Sequence, residues 1–246
     1  MKTPQILATS GGYVPGPVQQ SVRLGTMLLD ALGRTGKDRP RVCLVLTAMG
    51  DSLTYYAMSY EAFNAAGCDV TELKLFPQPS ADPTERLCTS DLVWVGGGSV
   101  ANLLALWRLH GVDDAMREAW SQGVILGGVS AGSLCWHSGG TTDSFSPALQ
   151  PVTNTLGILP YANGVHYDSE SQRRPLLHQL IKDHTLAPLA YATDDHVGIW
   201  YEGIEATSVV ADTATPSDSG PAAYKVELVG DDVIETRVGV GATFAA

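Results

Sequence analysis

The chain has 246 residues, 44 % apolar and 17 % charged, with 15 Lys and Arg against 26 Asp and Glu for a formal charge of −11. That apolar fraction excludes a disordered chain. The acidic balance argues against nucleic-acid binding and against a polybasic membrane anchor. The length suits a single α/β domain over residues 1–246.

Residues 5–8 read as a first strand, followed by a turn at Ser10-Gly11-Gly12. Residues 18–32 have helical spacing and stop near Gly33. Residues 41–47 (RVCLVLT) are a continuous apolar run, the pattern of a strand covered on both faces. A helix over 53–66 ends at Gly67, and a strand follows over 69–75. Pro77, Pro79 and Pro83 then punctuate a loop. Residues 91–95 form a strand running into Gly96-Gly97-Gly98, and Ser99 caps a helix over 100–109. A helix over 113–122 precedes a strand over 124–126. From 138 to 164 Gly, Ser, Thr and Pro dominate, and the spacing predicts a long loop. Residues 173–182 read as a helix with Pro175 in its first turn. Strands follow over 190–193 and 197–201, and the segment 222–238 reads as strands around Gly230-Asp231. The βα alternation implies a doubly wound, mostly parallel sheet with helices on both faces.

Cysteines 43, 68, 88 and 135 form no CxxC pair, and Cys43 and Cys135 read as buried thiols. There is no signal-peptide pattern and no apolar run of membrane-spanning length, so a cytoplasmic protein is expected.

The sharpest feature is Gly128-Val129-Ser130-Ala131-Gly132, between a strand and a helix-like run over 133–137. This is the G-x-S-x-G elbow in its strand–turn–helix context. A serine on so tight a turn needs neighbours without side chains two residues away, and Gly128 and Gly132 meet that need. The turn lifts Oγ out of the sheet edge and aims the Ala131 N–H at an oxyanion forming there. Gly97 and Gly98, after an earlier strand, offer a second N–H donor at the same edge. The triple glycine is not spaced as a dinucleotide fingerprint.

A serine nucleophile needs a base. His137 follows Ser130 by seven residues, too far along one helix to reach Oγ. His110 ends a helix, and His178 and His184 lie in or after another. His166, at the end of the loop-rich segment, has the best position. Asp143, Asp168, Asp194 and Asp195 are candidates to orient its imidazole, and spacing alone does not choose among them.

The stretches VWVGGGSVANLL, GGVSAGSLCW, TTDS, GVHYDSESQRRP and ATDDHVGIW together resemble peptidase E, the aspartyl dipeptidase (S51-type) family of serine peptidases, with cyanophycinase more distantly similar. The resemblance spans roughly residues 91–201; the first ninety residues match only as a sheet pattern. It implies a three-layer flavodoxin-like fold of the class I glutamine amidotransferase type, with Ser130 where that class usually carries cysteine. It further implies Ser130 as nucleophile, His166 as base and Asp195 in place of the family's glutamate, one methylene shorter, with Asp194 as fallback. Asp143 matches an acidic residue near the substrate, and remains a rival for orienting the histidine. Arg173 or Arg174, with Arg173 preferred, matches the arginine that holds an N-terminal aspartate side chain.

The expected activity is a serine exopeptidase acting on short peptides with N-terminal aspartate, without metal or organic cofactor. The partner is a small peptide, with no nucleic acid or membrane involved, and the chain is a monomer or homodimer. The reading requires Ser130 Oγ within hydrogen-bonding range of His166. Two alternatives stand beside it. An α/β-hydrolase esterase would use the order Ser130, Asp143, His166, but a separation of thirteen positions from serine to acid leaves no room for the usual intervening elements. A non-catalytic protein of the same fold would bind a metabolite at the same edge.

Overall fold

The apolar runs become a central sheet in a computed structural model that describes residues 3–19, 21–212 and 219–244. The chain opens with β1 (Gln5–Thr9), a hairpin of β2 (Tyr13–Pro15) and β3 (Val22–Leu24), and α1 (Thr26–Arg34). Next come β4 (Arg41–Val45), a 3-10 turn (Thr47–Met49), α2 (Leu53–Ala65), β5 (Asp69–Glu72) and α3 (Pro83–Cys88). Then β6 (Leu92–Val95) leads into α4 (Val100–His110) and α5 (Val112–Ser121), and β7 (Ile125–Val129) into the short α6 (Ala131–Leu134). The second half holds β8 (Gly139–Thr142), β9 (Gln150–Val152), β10 (Ala162–Gly164), α7 (Arg173–Lys182) and β11 (Leu189–Thr193). It closes with β12 (Val197–Glu202), β13 (Glu205–Ala211), β14 (Ala223–Val229) and β15 (Asp232–Val238).

The central sheet runs β13-β12-β1-β7-β6-β4-β5. Strands β1, β7, β6, β4 and β5 are parallel, and β12 and β13 extend one edge through antiparallel pairings. Side-chain alternation splits the inner parallel strands between two cores, as a period of two requires. Ile6, Cys43, Val45, Val93, Val95 and Leu126 pack on the side of α3 to α6. Leu7, Val42, Leu44, Leu92, Trp94 and Ile125 pack on the side of α1 and α2. The result is a three-layer, doubly wound α/β fold. After β4 the chain places β5 on one side and β6 on the other, so strand order reverses there. In such sheets the crevice beyond the carboxyl ends at this reversal is where ligands bind.

A second sheet, β15-β14-β11-β10-β8-β9, was not expected as a separate layer. It packs α7 on one face through Leu177, Leu180, Ile181, Ala190 and Val226. Its β8, β9 and β10 replace the long loop expected over 138–164. Strands β8 and β10 carry glycine because neighbouring backbone lies very close: a Cβ on Gly140 would meet the Asn163 carbonyl oxygen at 2.1 Å. The helix expected over 18–32 is likewise corrected. Its first part is strand β3, the helix starts at Thr26, and Gln20 lies outside the described residues. Ser21 Oγ donates to the Val18 carbonyl and the Gly16 N–H donates to the Ser21 carbonyl, closing the hairpin before any helix can begin. A short helix, α3, also stands in the proline-marked loop, with Asp82 accepting from the Glu85 N–H and Pro83 in its first turn. No helix among the described residues is long and apolar enough to cross a membrane.

Candidate active site

Ser130 sits between β7 and α6 with φ 56° and ψ −111°, a conformation that L-residues rarely adopt. Such strain costs about 1–3 kcal/mol and persists only where the surroundings fix it. Here three backbone bonds do so. The Ser130 N–H donates to the Thr9 carbonyl at 3.0 Å, and the Ser130 carbonyl accepts from Ser133 and Leu134, each at 2.9 Å. The two flanking glycines are sterically required. A Cβ on Gly128 would lie 2.3 Å from the Gly132 carbonyl oxygen, and one on Gly132 would lie 2.4 Å from that of Val95.

Gly97 stands directly against this turn, since a Cβ there would lie 3.2 Å from Ser130 Cβ. Gly98 has φ 120° and approaches the Ala48 carbonyl too closely for any side chain. Among the described residues the N–H groups of Gly97, Gly98 and Ala131 donate to no protein acceptor. Three unpaired donors therefore flank one hydroxyl.

His166 follows β10 and also has a positive φ, 54°. Its N–H donates to Ser10 Oγ at 3.0 Å, and Ser10 Oγ in turn meets Thr193 Oγ1 at 2.7 Å. The imidazole Nδ1 lies 2.5 Å from Asp195 Oδ1, which leaves Nε2 for proton transfer. Burial works against the charged Asp195 carboxyl. Hydrogen bonds from His166 and Ser169, with the charge of His166 and His196, outweigh it and hold the group below the usual carboxylate value. The Asp195 N–H donates to Asp168 Oδ1 at 2.9 Å, so Asp168 steadies the pair rather than joining it.

Ser130 and His166 line one open cavity of about 400 Å³ with Gly98, Ser99, Asn102, Asp143, Ser144, Glu170 and Arg173. No hydrogen bond joins Ser130 to His166 directly; catalytic contacts are often long before substrate binds. The chain order is serine, histidine, acid, which differs from the order of α/β-hydrolases.

The remaining candidates separate by position. Asp194 points to the second sheet, where its Oδ2 accepts from the Ala222 N–H and Tyr224 hydroxyl, and burial raises its pKa. Asp143 is exposed on the cavity wall, and among the described residues the imidazole of His166 bonds to Asp195 rather than to it. Arg173 is buried on the same wall: Nε and Nη2 donate to Glu170 Oε2, and Nη1 donates to the Thr141 carbonyl at 2.6 Å. Arg174 is turned away, paired with Glu235 and stacked against Tyr167 and Tyr224. His137 is fully buried between the Ser133 carbonyl and the Tyr201 hydroxyl, and desolvation lowers its pKa to about 4. His178 pairs with Glu235. All four cysteines are free thiols, and burial pushes Cys43 up to about 12.

Two residues of the site escaped the sequence reading. Ser10 lies just beyond β1 at the carboxyl edge, a position that could have suggested it. Glu170 precedes Arg173 by three residues, the spacing of a helical ion pair.

The family model for peptidase family S51 matches residues 6–209. The chain is 36 % identical over 233 residues to the uncharacterized peptidase YgaJ of Bacillus subtilis (strain 168), covering 94 % of this chain and 95 % of that protein. It is 32 % identical over 128 residues to peptidase E of Streptomyces coelicolor, covering 52 % and 51 % of the two chains. The crystal structure of a peptidase from an acI-B1 actinobacterium has the same fold, with a TM-score of 0.70 and 15 % identity over 99 % of this chain and 97 % of that one. This chain belongs to peptidase family S51 and is a serine-type peptidase.

Proposed function

We propose that the protein is an exopeptidase that removes an N-terminal acidic residue, aspartate first, from short peptides through an acyl-enzyme on Ser130. One observation carries the reading: a strained serine flanked by unpaired N–H groups shares its cavity with a histidine whose other nitrogen is held by a carboxylate.

Ser130 Oγ attacks the peptide carbonyl carbon while His166 Nε2 takes its proton. The N–H groups of Ala131 and of Gly97 or Gly98 hold the oxyanion, each worth about 10²–10³ in rate. His166 passes the proton to the leaving amine as the C–N bond breaks. Water, deprotonated by the same imidazole, then attacks the ester and releases the acid with Ser130 restored. Asp195 keeps the imidazole in the tautomer this requires and stabilises the imidazolium.

Substrate choice follows from the opposite wall. Nη2 of Arg173 carries two N–H groups and spends one on Glu170, which leaves the other for a substrate carboxylate. Asp143 and Glu170 are acidic groups on the same wall and suit the free α-ammonium of a peptide's first residue. The test is hydrolysis of Asp-p-nitroanilide and Asp-X dipeptides by the native protein and by Ser130→Ala. Hydrolysis by the native protein alone is expected. Equal rates from both would remove Ser130 from the mechanism, and cleavage of Ala-X as fast as Asp-X would remove the acidic preference.

A further inference from the structure

A second pocket, about 240 Å³ in volume, lies behind the glycine turn. Leu46 and Met49 reach it from the end of β4, Trp94, Gly96 and Gly97 from the end of β6, and Val129 from the elbow itself. Tyr13 and Val22 of the hairpin and Tyr55, Met58 and Ser59 of α2 complete it. It therefore occupies the crevice at the strand-order reversal between β4 and β6. In its wall the Tyr13 hydroxyl donates to Ser59 Oγ at 3.0 Å, and Trp94 Nε1 is a buried donor without an acceptor among the described residues. No charged residue is in its wall.

The pocket adjoins the serine without containing it, through Gly97 and through Val129, the residue before Ser130. Gly97 belongs to the pocket wall, and a Cβ on Gly97 would stand 3.2 Å from Ser130 Cβ and 3.8 Å from Ser130 Oγ. The polar cavity with Arg173 does not contain Gly97, and reaches the serine from the side of Gly98, Ser99 and Asn102. Two pockets of opposite character thus meet along the glycine turn beside one nucleophile. Apolar ligands are drawn to an apolar wall by the water they release. A volume below the roughly 300–1,000 Å³ of drug-sized ligand sites suits one side chain rather than a whole ligand.

We infer that this pocket is the subsite for the residue on the leaving-group side of the scissile bond, and that it selects large apolar side chains such as Leu, Met or Phe. The inference rests on the proposed reading for its orientation, because the acidic first residue occupies the Arg173 side. It adds a second determinant of specificity: acidic before the bond, apolar after it.

The experiment measures kcat/KM for Asp-Leu, Asp-Phe, Asp-Ala and Asp-Lys, and for Ala-Leu and Ala-Ala, with native protein, Met58→Trp and Val22→Trp. Native protein is expected to favour Asp-Leu and Asp-Phe over Asp-Ala and Asp-Lys at least tenfold. Filling the pocket from either α2 or the hairpin should lower the Asp-Leu to Asp-Ala ratio at least fivefold. Equal kcat/KM across the Asp-X set would overturn the subsite and leave the acidic reading intact. Failure to prefer Asp over Ala, with leucine still favoured in second place, would overturn the acidic reading and leave the subsite intact. A native preference for leucine that neither tryptophan variant diminishes would place the leucine side chain elsewhere and end the proposal.

Discussion

Asp195 earns its place by contact rather than by sequence position. It and Asp194 are neighbours, yet one meets His166 Nδ1 at 2.5 Å and the other faces Ala222 and Tyr224. Replacing Asp195 by Asn keeps the shape but offers the wrong hydrogen-bonding pattern to Nδ1. Asp195→Asn should therefore lower kcat by about 10³–10⁴ with little change in KM, read from steady-state kinetics. Asp194→Asn should leave the pH profile of kcat/KM unmoved, because Asp194 does not touch the imidazole. The glycines of the elbow carry a different demand. Gly132→Ala forces a Cβ to 2.4 Å from the Val95 carbonyl oxygen, so it should destabilise the fold by about 3 kcal/mol in urea unfolding. That steric demand is why the elbow was legible in the sequence: G-x-S-x-G encodes backbone crowding directly. Ser10 and Glu170 were not legible, since each matters only through partners brought by the fold, Ser10 to His166 and Glu170 to Arg173.

Among the elements, the inner parallel strands β4 and β6 were readable because they bury both faces and so appear as unbroken apolar runs. Strands β8 and β10 were not, because close backbone approach requires glycine where strand propensity prefers branched residues. The hairpin before α1 was hidden for another reason. Residues 18–32 carry apolar positions at helical spacing, but Gly16 and the Ser21 side chain commit the chain to a tight turn first. Helix α1 offers a clean test of local propensity. Gly33 lies near its end, and a Cβ there meets nothing within 4 Å. Gly33→Ala should stabilise the protein by about 0.5 kcal/mol, measured as a shift in denaturation midpoint without loss of peptidase activity.

At the scale of the whole molecule, the first sheet positions Ser130, the proposed nucleophile, and the second positions His166, the proposed base. His137 is packed where they meet, between the α6 end and Tyr201 of β12. Its folded pKa of about 4 lies below the ordinary 6.5, so between those values the unfolded chain binds more protons than the native one. The stability this group contributes is present in full above pH 6.5 and is lost as pH falls toward 4, by about 3 kcal/mol. His137→Phe should remove that part of the slope, seen by comparing urea unfolding of both proteins at pH 7.5 and 4.5. An unchanged slope would mean that His137 is protonated in the native state.

The most direct measurement is intact-protein mass spectrometry after exposure to a small fluorophosphonate, followed by peptide mapping. One phosphonyl group on Ser130, absent in Ser130→Ala and slowed at least a hundredfold in His166→Ala, is the predicted result. Modification of another residue, or labelling of Ser130 at the same rate without the imidazole, would contradict the nucleophile and base assigned to this cavity.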